Sequence, residues 1–168
     1  HSSTTTPEEI SGSLSEYFEA MTAIVFKYEG TVDKFIGDGL MVFYGAPEQQ
    51  QDHAMRCVQA AIDMQRECRR IKSKWESEGR FPLQIRIGIN SGKVIVGDLG
   101  SERRKEYTVI GSDVNLAQRL ESNAPVGGIL ISEKTFRLLN DTVLTRLHEP
   151  IMVKGLSTPI AVHEVLVD

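Results

Sequence analysis

The amino-acid sequence predicts an α+β fold in which helices cover one β-sheet. Two long segments place apolar residues at helical spacing, several short segments carry β-branched residues with a period of two, and glycine-containing turns separate them. Helices placed between pairs of antiparallel strands favour a sandwich of helices on a sheet. The chain has 168 residues, of which 40% are hydrophobic, so it can bury a sizeable core. Because the sequence shows no internal repeat and no linker, we expect one domain over residues 1–168.

The first part of the chain predicts a helix followed by a β-hairpin. Pro7 suits the first helical position and Gly30 suits the residue beyond the last turn, so we expect a helix over residues 7–29. Its apolar positions recur at helical spacing: Ile10, Leu14, Phe18, Met21 and Val25. The segment TVDKFIGDGLMVF, residues 31–43, contains two strand-forming runs around a Gly-Asp-Gly turn. This pattern is typical of a hairpin.

The middle of the chain predicts a long helix and two strands. Helical periodicity runs from about Asp52 to Glu78. The buried stripe of this helix is expected to comprise Ala54, Val58, Ala61, Ile62, Met64, Ile71 and Trp75. Residues 83–89 alternate between apolar and polar side chains, as in a half-buried strand, and a Ser91-Gly92 turn leads into a second strand.

The last part of the chain predicts four strands and two helices. KEYTVI, residues 105–110, is expected to form a strand, and the segment from 112 to 124 a helix capped by Ser112 or Asp113. GGILIS then predicts a strand, EKTFRLLN a short helix, and the segments near LTRLHE and IAVHEVLV two final strands.

Composition excludes several classes of protein. Lys and Arg number 19 against 23 Asp and Glu, a formal net charge of −4, so we expect no binding to a nucleic-acid backbone. Cys57 and Cys68 are the only cysteines, and eleven residues of helix would separate them by about 16 Å, too far for a disulfide. No apolar run reaches membrane-spanning length and no signal peptide opens the chain, so we expect a cytoplasmic domain.

Lys34 and Asp38 are charged residues inside the strand-forming hairpin. Residues four apart in an extended chain point to the same side, so both charges are expected on one face. The hairpin would then offer a carboxylate at its tip and an ammonium part-way down one arm. Ordinary solvation of a turn and of a half-exposed strand explains these two residues equally well.

The helix after Ser112 has two distinct faces. At 100° per residue, Val114, Leu116, Ala117 and Leu120 gather on one side. Asn115 and Arg119, one turn apart, lie together on the opposite side. An amide beside a guanidinium suits a phosphate or a developing negative charge, although an ordinary solvated helix face fits the same pattern.

Three further residues carry little information singly. Thr108 lies in a predicted strand, Lys154 precedes a glycine turn, and Lys93 follows Gly92. GINSGKV does not match a phosphate-binding P-loop, because three residues rather than four separate its glycines and a valine follows the lysine.

The combination of these segments resembles a known family. VDKFIGDGLMVFYG, IRIGINSGKVIVGDLGSERRKEYTVIGSDVNLAQRLES and VKGLSTPIAVHEV, in this order, resemble the catalytic domain of class III nucleotide cyclases, bacterial adenylyl cyclases in particular. The resemblance extends over nearly the whole chain from about Pro7. It implies a ferredoxin-like core sheet and an active site formed between two domains.

The resemblance also implies roles for individual residues. Lys34 and Thr108 look like the pair that recognises adenine, a place where guanylyl cyclases usually carry Glu and Cys. Asn115 and Arg119 look like the pair that acts in the transition state, on the ribose and the phosphates respectively. The remaining implied contacts are Lys154 and, as a weaker transfer, Lys93 with phosphates, and Asp38 with metal ions.

The implied chemistry needs a metal and a second copy of the chain. The ribose 3′-hydroxyl of ATP attacks the α-phosphorus, and two Mg²⁺ or Mn²⁺ ions lower the pKa of the hydroxyl and clamp the triphosphate. Four residues of strand span about 13 Å, comparable to an extended triphosphate, so Lys34 and Asp38 can serve two different sites. In a homodimer, Asp38 of one subunit would complete the site built on Lys34 and Arg119 of the other.

The sequence departs from the family at its start. The family's first strand, with an F-x-D-I-x-G-F-T-like segment and another metal aspartate, is missing. We therefore expect either a fragment of a longer protein or a cyclase that lacks one metal ligand, and a regulatory domain or a membrane anchor upstream. The alternatives to an adenylyl cyclase are an inactive cyclase-like module that dimerises or senses ATP, and a guanylyl cyclase.

Overall fold

The structure is a computed structural model that describes residues 7–36, 39–80, 83–98, 107–153 and 155–167. For residues 7–11, 95–98 and 107–110 only the backbone is described. Within these ranges the elements in chain order are α1 (Pro7–Lys27), β1 (Thr31–Ile36), β2 (Gly39–Phe43), α2 (His53–Ser77), β3 (Ile87–Ile89), β4 (Ile95–Asp98), β5 (Tyr107–Ile110), α3 (Ser112–Asn123), β6 (Ile129–Ser132), α4 (Glu133–Leu138), β7 (Thr145–Ile151) and β8 (Ile160–Val165). The order and type of these elements confirm the sequence prediction.

The strands form a four-stranded sheet and two hairpins. The sheet has the order β3-β6-β8-β7, in which β3 and β6 are parallel and the other pairs are antiparallel. β1 pairs with β2, and β4 with β5, each antiparallel. The mixed fold class is as predicted, but the described strands are divided among three sheets rather than joined in one.

Helices cover both faces of the four-stranded sheet. Residues of β6 are buried on both sides, as expected for a central strand. Ile129 and Ile131 pack against α2 and α4, whereas Leu130 packs against Leu120 of α3. This alternation gives the sheet two separate apolar cores. In the second core, Leu120 of α3 and Ala124 pack against the strand residues Leu130, Ile151 and Val162.

A third core joins α1, α2 and the β1–β2 hairpin. Met21 and Val25 of α1 and Trp75 of α2 are almost fully buried there. The ring of Phe18 meets that of Phe35 on β1 edge to face, with centroids 4.7 Å apart. Every residue of the predicted stripe on α2 is buried. These contacts fix the hairpin that carries Lys34 against the long helices.

Two local predictions were wrong. The predicted strand over 83–89 is paired only at Ile87–Ile89, because the carbonyl of Ile85 accepts hydrogen bonds from Gly127 and from the buried amide of Gln65 instead. The residue before α3 is Gly111, and neither Ser112 nor Asp113 caps the helix with its side chain.

Tyr44 has a buried hydroxyl without a hydrogen-bond partner among the described residues. Burial raises the pKa of this hydroxyl well above its usual range, so the group stays neutral. We expect Tyr44→Phe to leave the free energy of unfolding unchanged or to raise it by about 1 kcal/mol, because an unsatisfied buried polar group is removed.

The matched control is Tyr28→Phe, since the Tyr28 hydroxyl donates to Asp63 Oδ2 at 2.6 Å. Loss of this bond to a carboxylate is expected to cost about 1.5 kcal/mol or more. Urea denaturation of the two variants measures the difference. An equal loss in both would contradict this interpretation of Tyr44.

Candidate nucleotide site

Two glycines position helix α3. Gly111 has φ 147° and ψ 170°, a backbone conformation open almost only to glycine, and it turns the chain sharply from β5 into the helix. At the other end, α3 crosses β3 in backbone contact: a Cβ added to Gly88 would lie 2.1 Å from the backbone nitrogen of Glu121. The helix therefore rests directly on the sheet, and its outer face has a fixed direction.

That outer face carries the predicted Asn115 and Arg119. Both side chains are exposed, whereas Leu120 on the inner face is fully buried. No described residue forms a hydrogen bond or an ion pair with the amide of Asn115 or the guanidinium of Arg119. The predicted two-faced helix is thus confirmed, and within the described part of the chain both groups are available to a ligand.

Lys34 lies on the exposed side of the hairpin, next to a buried carboxylate. A β-bulge falls between Val32 and Lys34, so Asp33 is the extra residue in the register. Lys34 Nζ is 3.8 Å from Asp33 Oδ2, and the side chains are 51% and 2% exposed. Neighbours on a regular strand point to opposite faces, so sequence alternation did not predict this pair.

The fold brings the elements of the predicted site together. β1, which carries Lys34, contacts β5, which carries Thr108, and α3 begins directly after β5. A Cβ added to Gly111 would lie 4.0 Å from the carbonyl oxygen of Lys93, so the exposed Lys93 is next to the start of α3. Asp38, Lys154 and the side chain of Thr108 lie outside the described part, and their roles stay predictions.

Sequence reasoning missed the contribution of Asn90 and gave Asp113 the wrong partner. Asn90 Nδ2 donates to the backbone oxygen of Asp113 at 2.9 Å and to its Oδ1 at 3.1 Å. The only sign of Asn90 in the sequence was its position, directly after the alternating residues 83–89 and two residues before Gly92. It did not indicate a partner 23 residues further along the chain.

The described residues do not form a metal centre by themselves. No group of three His, Cys, Asp or Glu side chains clusters within the described ranges. The predicted metal ligand, Asp38, lies outside them. In the same part of the chain, none of the helices combines the length and the apolar character needed to cross a membrane.

Comparison with known proteins identifies the family. The sequence profile described as "Adenylate and Guanylate cyclase catalytic domain" matches residues 1–165. The chain belongs to this family. It is 32% identical over 162 residues to "Adenylate cyclase 1" of Rhizobium meliloti (strain 1021), a match that covers 95% of the chain and 24% of that protein. The resemblance inferred from the motifs is confirmed, and the chain spans about a quarter of the length of this relative.

Solved cyclase structures share the fold over nearly the whole chain. The adenylyl cyclase CyaB from P. aeruginosa is 38% identical, with a TM-score of 0.91 over 99% of this chain and 87% of that one. The guanylyl cyclase Cya2 is also 38% identical, with a TM-score of 0.88 over 99% of this chain and 84% of that one. These matches confirm the fold class. An adenylyl cyclase and a guanylyl cyclase are equally identical to this chain, so overall similarity does not distinguish between their substrates. Only individual residues can indicate which base is bound.

Proposed function

We propose that this chain is the catalytic domain of an adenylyl cyclase, which converts ATP to 3′,5′-cyclic AMP and pyrophosphate. One observation carries the proposal beyond family membership. β1 with Lys34 lies against β5 with Thr108, and α3 with the exposed Asn115 and Arg119 follows β5 directly. Groups suited to a base and groups suited to phosphates therefore come from adjoining elements.

Hydrogen-bonding capacity favours adenine over guanine. The Lys34 ammonium has donors and no acceptor, so it can donate to N1 of adenine but meets the N1–H of guanine badly. The Thr108 hydroxyl both donates and accepts, and it can accept from the 6-amino group of adenine. The base contacts thus support ATP as the substrate.

The described residues act on the sugar and the phosphates by position and charge. In the proposed reaction the ribose 3′-hydroxyl attacks the α-phosphorus in line and pyrophosphate leaves. The Asn115 amide orients the ribose, and the Arg119 guanidinium donates to phosphate oxygens on which negative charge develops. Lys154 and Lys93 contact phosphate oxygens that Arg119 does not reach, and their positive charges offset the negative charge of the triphosphate. Little covalent work falls to the side chains, so alignment dominates the rate.

Enzymes of this family use divalent metal ions, and we propose Mg²⁺ or Mn²⁺, two ions per site, with Asp38 as one ligand. The described residues supply no metal cluster by themselves. We further propose a homodimer with shared sites, in which the partner's Asp38 completes each site. We propose a cytoplasmic location, which the free thiols of Cys57 and Cys68 suit. We also propose a regulatory domain upstream in the full-length protein.

The direct test is cyclic nucleotide production from ATP and from GTP by the full-length protein with Mg²⁺ or Mn²⁺. We expect kcat/KM for ATP to exceed that for GTP by about tenfold or more, since a hydrogen bond to a charged group contributes about 1.5–3 kcal/mol. Lys34→Glu with Thr108→Cys should move the preference toward GTP, because a carboxylate accepts from the N1–H of guanine.

Lys134→Glu is the matched control for this charge reversal. Lys134 is exposed on α4, which packs against β6, β8 and α2, whereas the proposed base contacts lie on β1 and β5, so the preference for ATP should be retained. Equal turnover of ATP and GTP by the wild-type protein would contradict the base assignment. A folded, dimeric protein that makes neither product would support the inactive module instead.

A further inference from the structure

The turn that joins β3 to β4, residues 90–93, is bonded to two helices. Asn90 Nδ2 donates to the carbonyl and the carboxylate of Asp113 on α3. Ser91 Oγ lies 2.8 Å from the hydroxyl of Thr135 on α4, and both groups are buried. Lys93, at the end of the turn, stays exposed. The turn is therefore anchored at Asn90 and Ser91, and the exposed ammonium of Lys93 follows two residues after Ser91.

The Asp113 carboxylate lies directly on the same turn. A Cβ added to Gly92 would lie 2.2 Å from Asp113 Oδ2, so only a residue without a side chain leaves room for the carboxylate there. Asp113 is in the first turn of α3, where a negative charge is favourable, yet its side chain makes no capping bond. The carboxylate has been directed to the neighbouring turn instead of its own helix.

The bond from Asn90 to the Asp113 carbonyl is not needed to complete the helix. The backbone groups left without partners at a helix N-terminus are N–H groups, whereas carbonyls of the first turn accept bonds within the helix. Asn90 thus adds a second donor to an oxygen that the helix already uses. This extra bond ties the first turn of α3 to the turn that carries Lys93.

We propose that Asn90 and Asp113 are positioning residues for the cyclase reaction, a role that rests on the proposed function. Asn115 is two residues beyond Asp113, and Lys93 is one residue beyond Gly92. The Asn90–Asp113 clamp holds the 90–93 turn against α3. The distance between the phosphate contact, Lys93, and the ribose contact, Asn115, is therefore fixed. Misplacement of reacting groups by about 1 Å can cost about a hundredfold in rate, so loss of the clamp acts mainly on kcat.

The test uses steady-state kinetics of the full-length protein with ATP. We expect Asn90→Ala, which removes both bonds, to lower kcat about tenfold or more while KM changes less than about threefold. Asp113→Ala removes only the bond to the carboxylate, so kcat should fall less, and the double variant should match Asn90→Ala because no bond of the clamp is left to lose. Asp113→Asn keeps an oxygen that accepts from Asn90, and it should return kcat to within about threefold of wild type.

Ser91→Ala is the matched control. It removes a buried hydrogen bond from the same turn, but that bond leads to α4. Its melting temperature should fall while kcat is retained. If Asn90→Ala lowers the melting temperature to the same extent and leaves kcat unchanged, the clamp is only structural and the inference is wrong.

Hydrogen exchange separates this inference from the proposed function. The amides of Val114 and Asn115 bond to the Gly111 carbonyl in the first turn of α3. Asn90→Ala should speed exchange of these two amides about tenfold and leave the Leu120 amide unchanged. If the wild-type protein makes no cyclic nucleotide, the proposed function is wrong, but hydrogen exchange still tests whether Asn90 holds the first turn of α3. Unchanged exchange of the two amides in Asn90→Ala would show that it does not and would overturn the inference.

Discussion

Arg119→Ala is expected to lower kcat for cyclic AMP formation by a hundredfold or more without unfolding the protein. The guanidinium is exposed on α3 and has no described partner, so its removal should change the free energy of unfolding by less than about 0.5 kcal/mol. Removing a donor aimed at charge that develops in a transition state costs about 10²–10³ in kcat. Initial rates of cyclic AMP formation and a urea titration measure the two quantities.

Arg146→Ala provides the comparison for this substitution. Arg146 is also an exposed arginine, 64% by side chain, but it pairs with Glu164 on the four-stranded sheet at 3.0 Å. Exposed ion pairs contribute little, so this variant should keep kcat within about twofold. Similar kcat values for Arg119→Ala and Arg146→Ala would show that Arg119 has no part in the reaction.

Gly88→Ala is expected to destabilise the fold more than alanine at the other described glycines, because the added Cβ meets helix backbone at the shortest distance among them. The new Cβ would lie 2.1 Å from the nitrogen of Glu121 and 2.5 Å from the oxygen of Ala117, and both atoms belong to the α3 backbone. Backbone cannot rotate away as a side chain can, so α3 must move off β3. We expect a loss of about 3 kcal/mol in the free energy of unfolding, and a fall in kcat because α3 carries Asn115 and Arg119.

Gly12→Ala is the matched control for the added methyl group. Gly12 lies inside α1, and nothing lies within 4 Å of a Cβ added there. Alanine is favoured over glycine in a helix by about 0.5–1 kcal/mol, so this variant should be more stable than wild type. A Gly88→Ala protein as stable as Gly12→Ala would contradict the close contact between α3 and β3.

Elements with strong local patterns could be predicted from the sequence. α2 runs over His53–Ser77 with Asp52 and Glu78 at its ends, because 25 residues of helical periodicity specify it without distant partners. The exposed face of α3 was predictable for the same reason. The bounds of strand β3 were not, since its length depends on where β6 pairs with it and on Gln65 of α2, which donates to the carbonyl of Ile85 just before the strand.

Features of the site that depend on distant contacts could not be predicted. The sequence predicted Asp113 as a possible helix cap. In the structure its carboxylate instead accepts a hydrogen bond from Asn90, 23 residues earlier in the chain. The alternation of a regular strand did not reveal the bulge that places Asp33 beside Lys34. The alternating pattern of residues 83–89 did not indicate that Gly88 lies against the backbone of α3, where a side chain has no room.

Mixing two inactive variants tests whether two copies of the chain share each cyclase site. Asp38→Ala and Arg119→Ala homodimers should each be nearly inactive, because every site lacks either the proposed metal ligand or the phosphate donor. After subunit exchange, one site of each heterodimer carries both changes and the other carries neither. Random exchange makes about half of the dimers mixed, so activity should recover to about one quarter of wild type. No recovery, with exchange demonstrated, would show that both residues act within one subunit and would contradict the shared site.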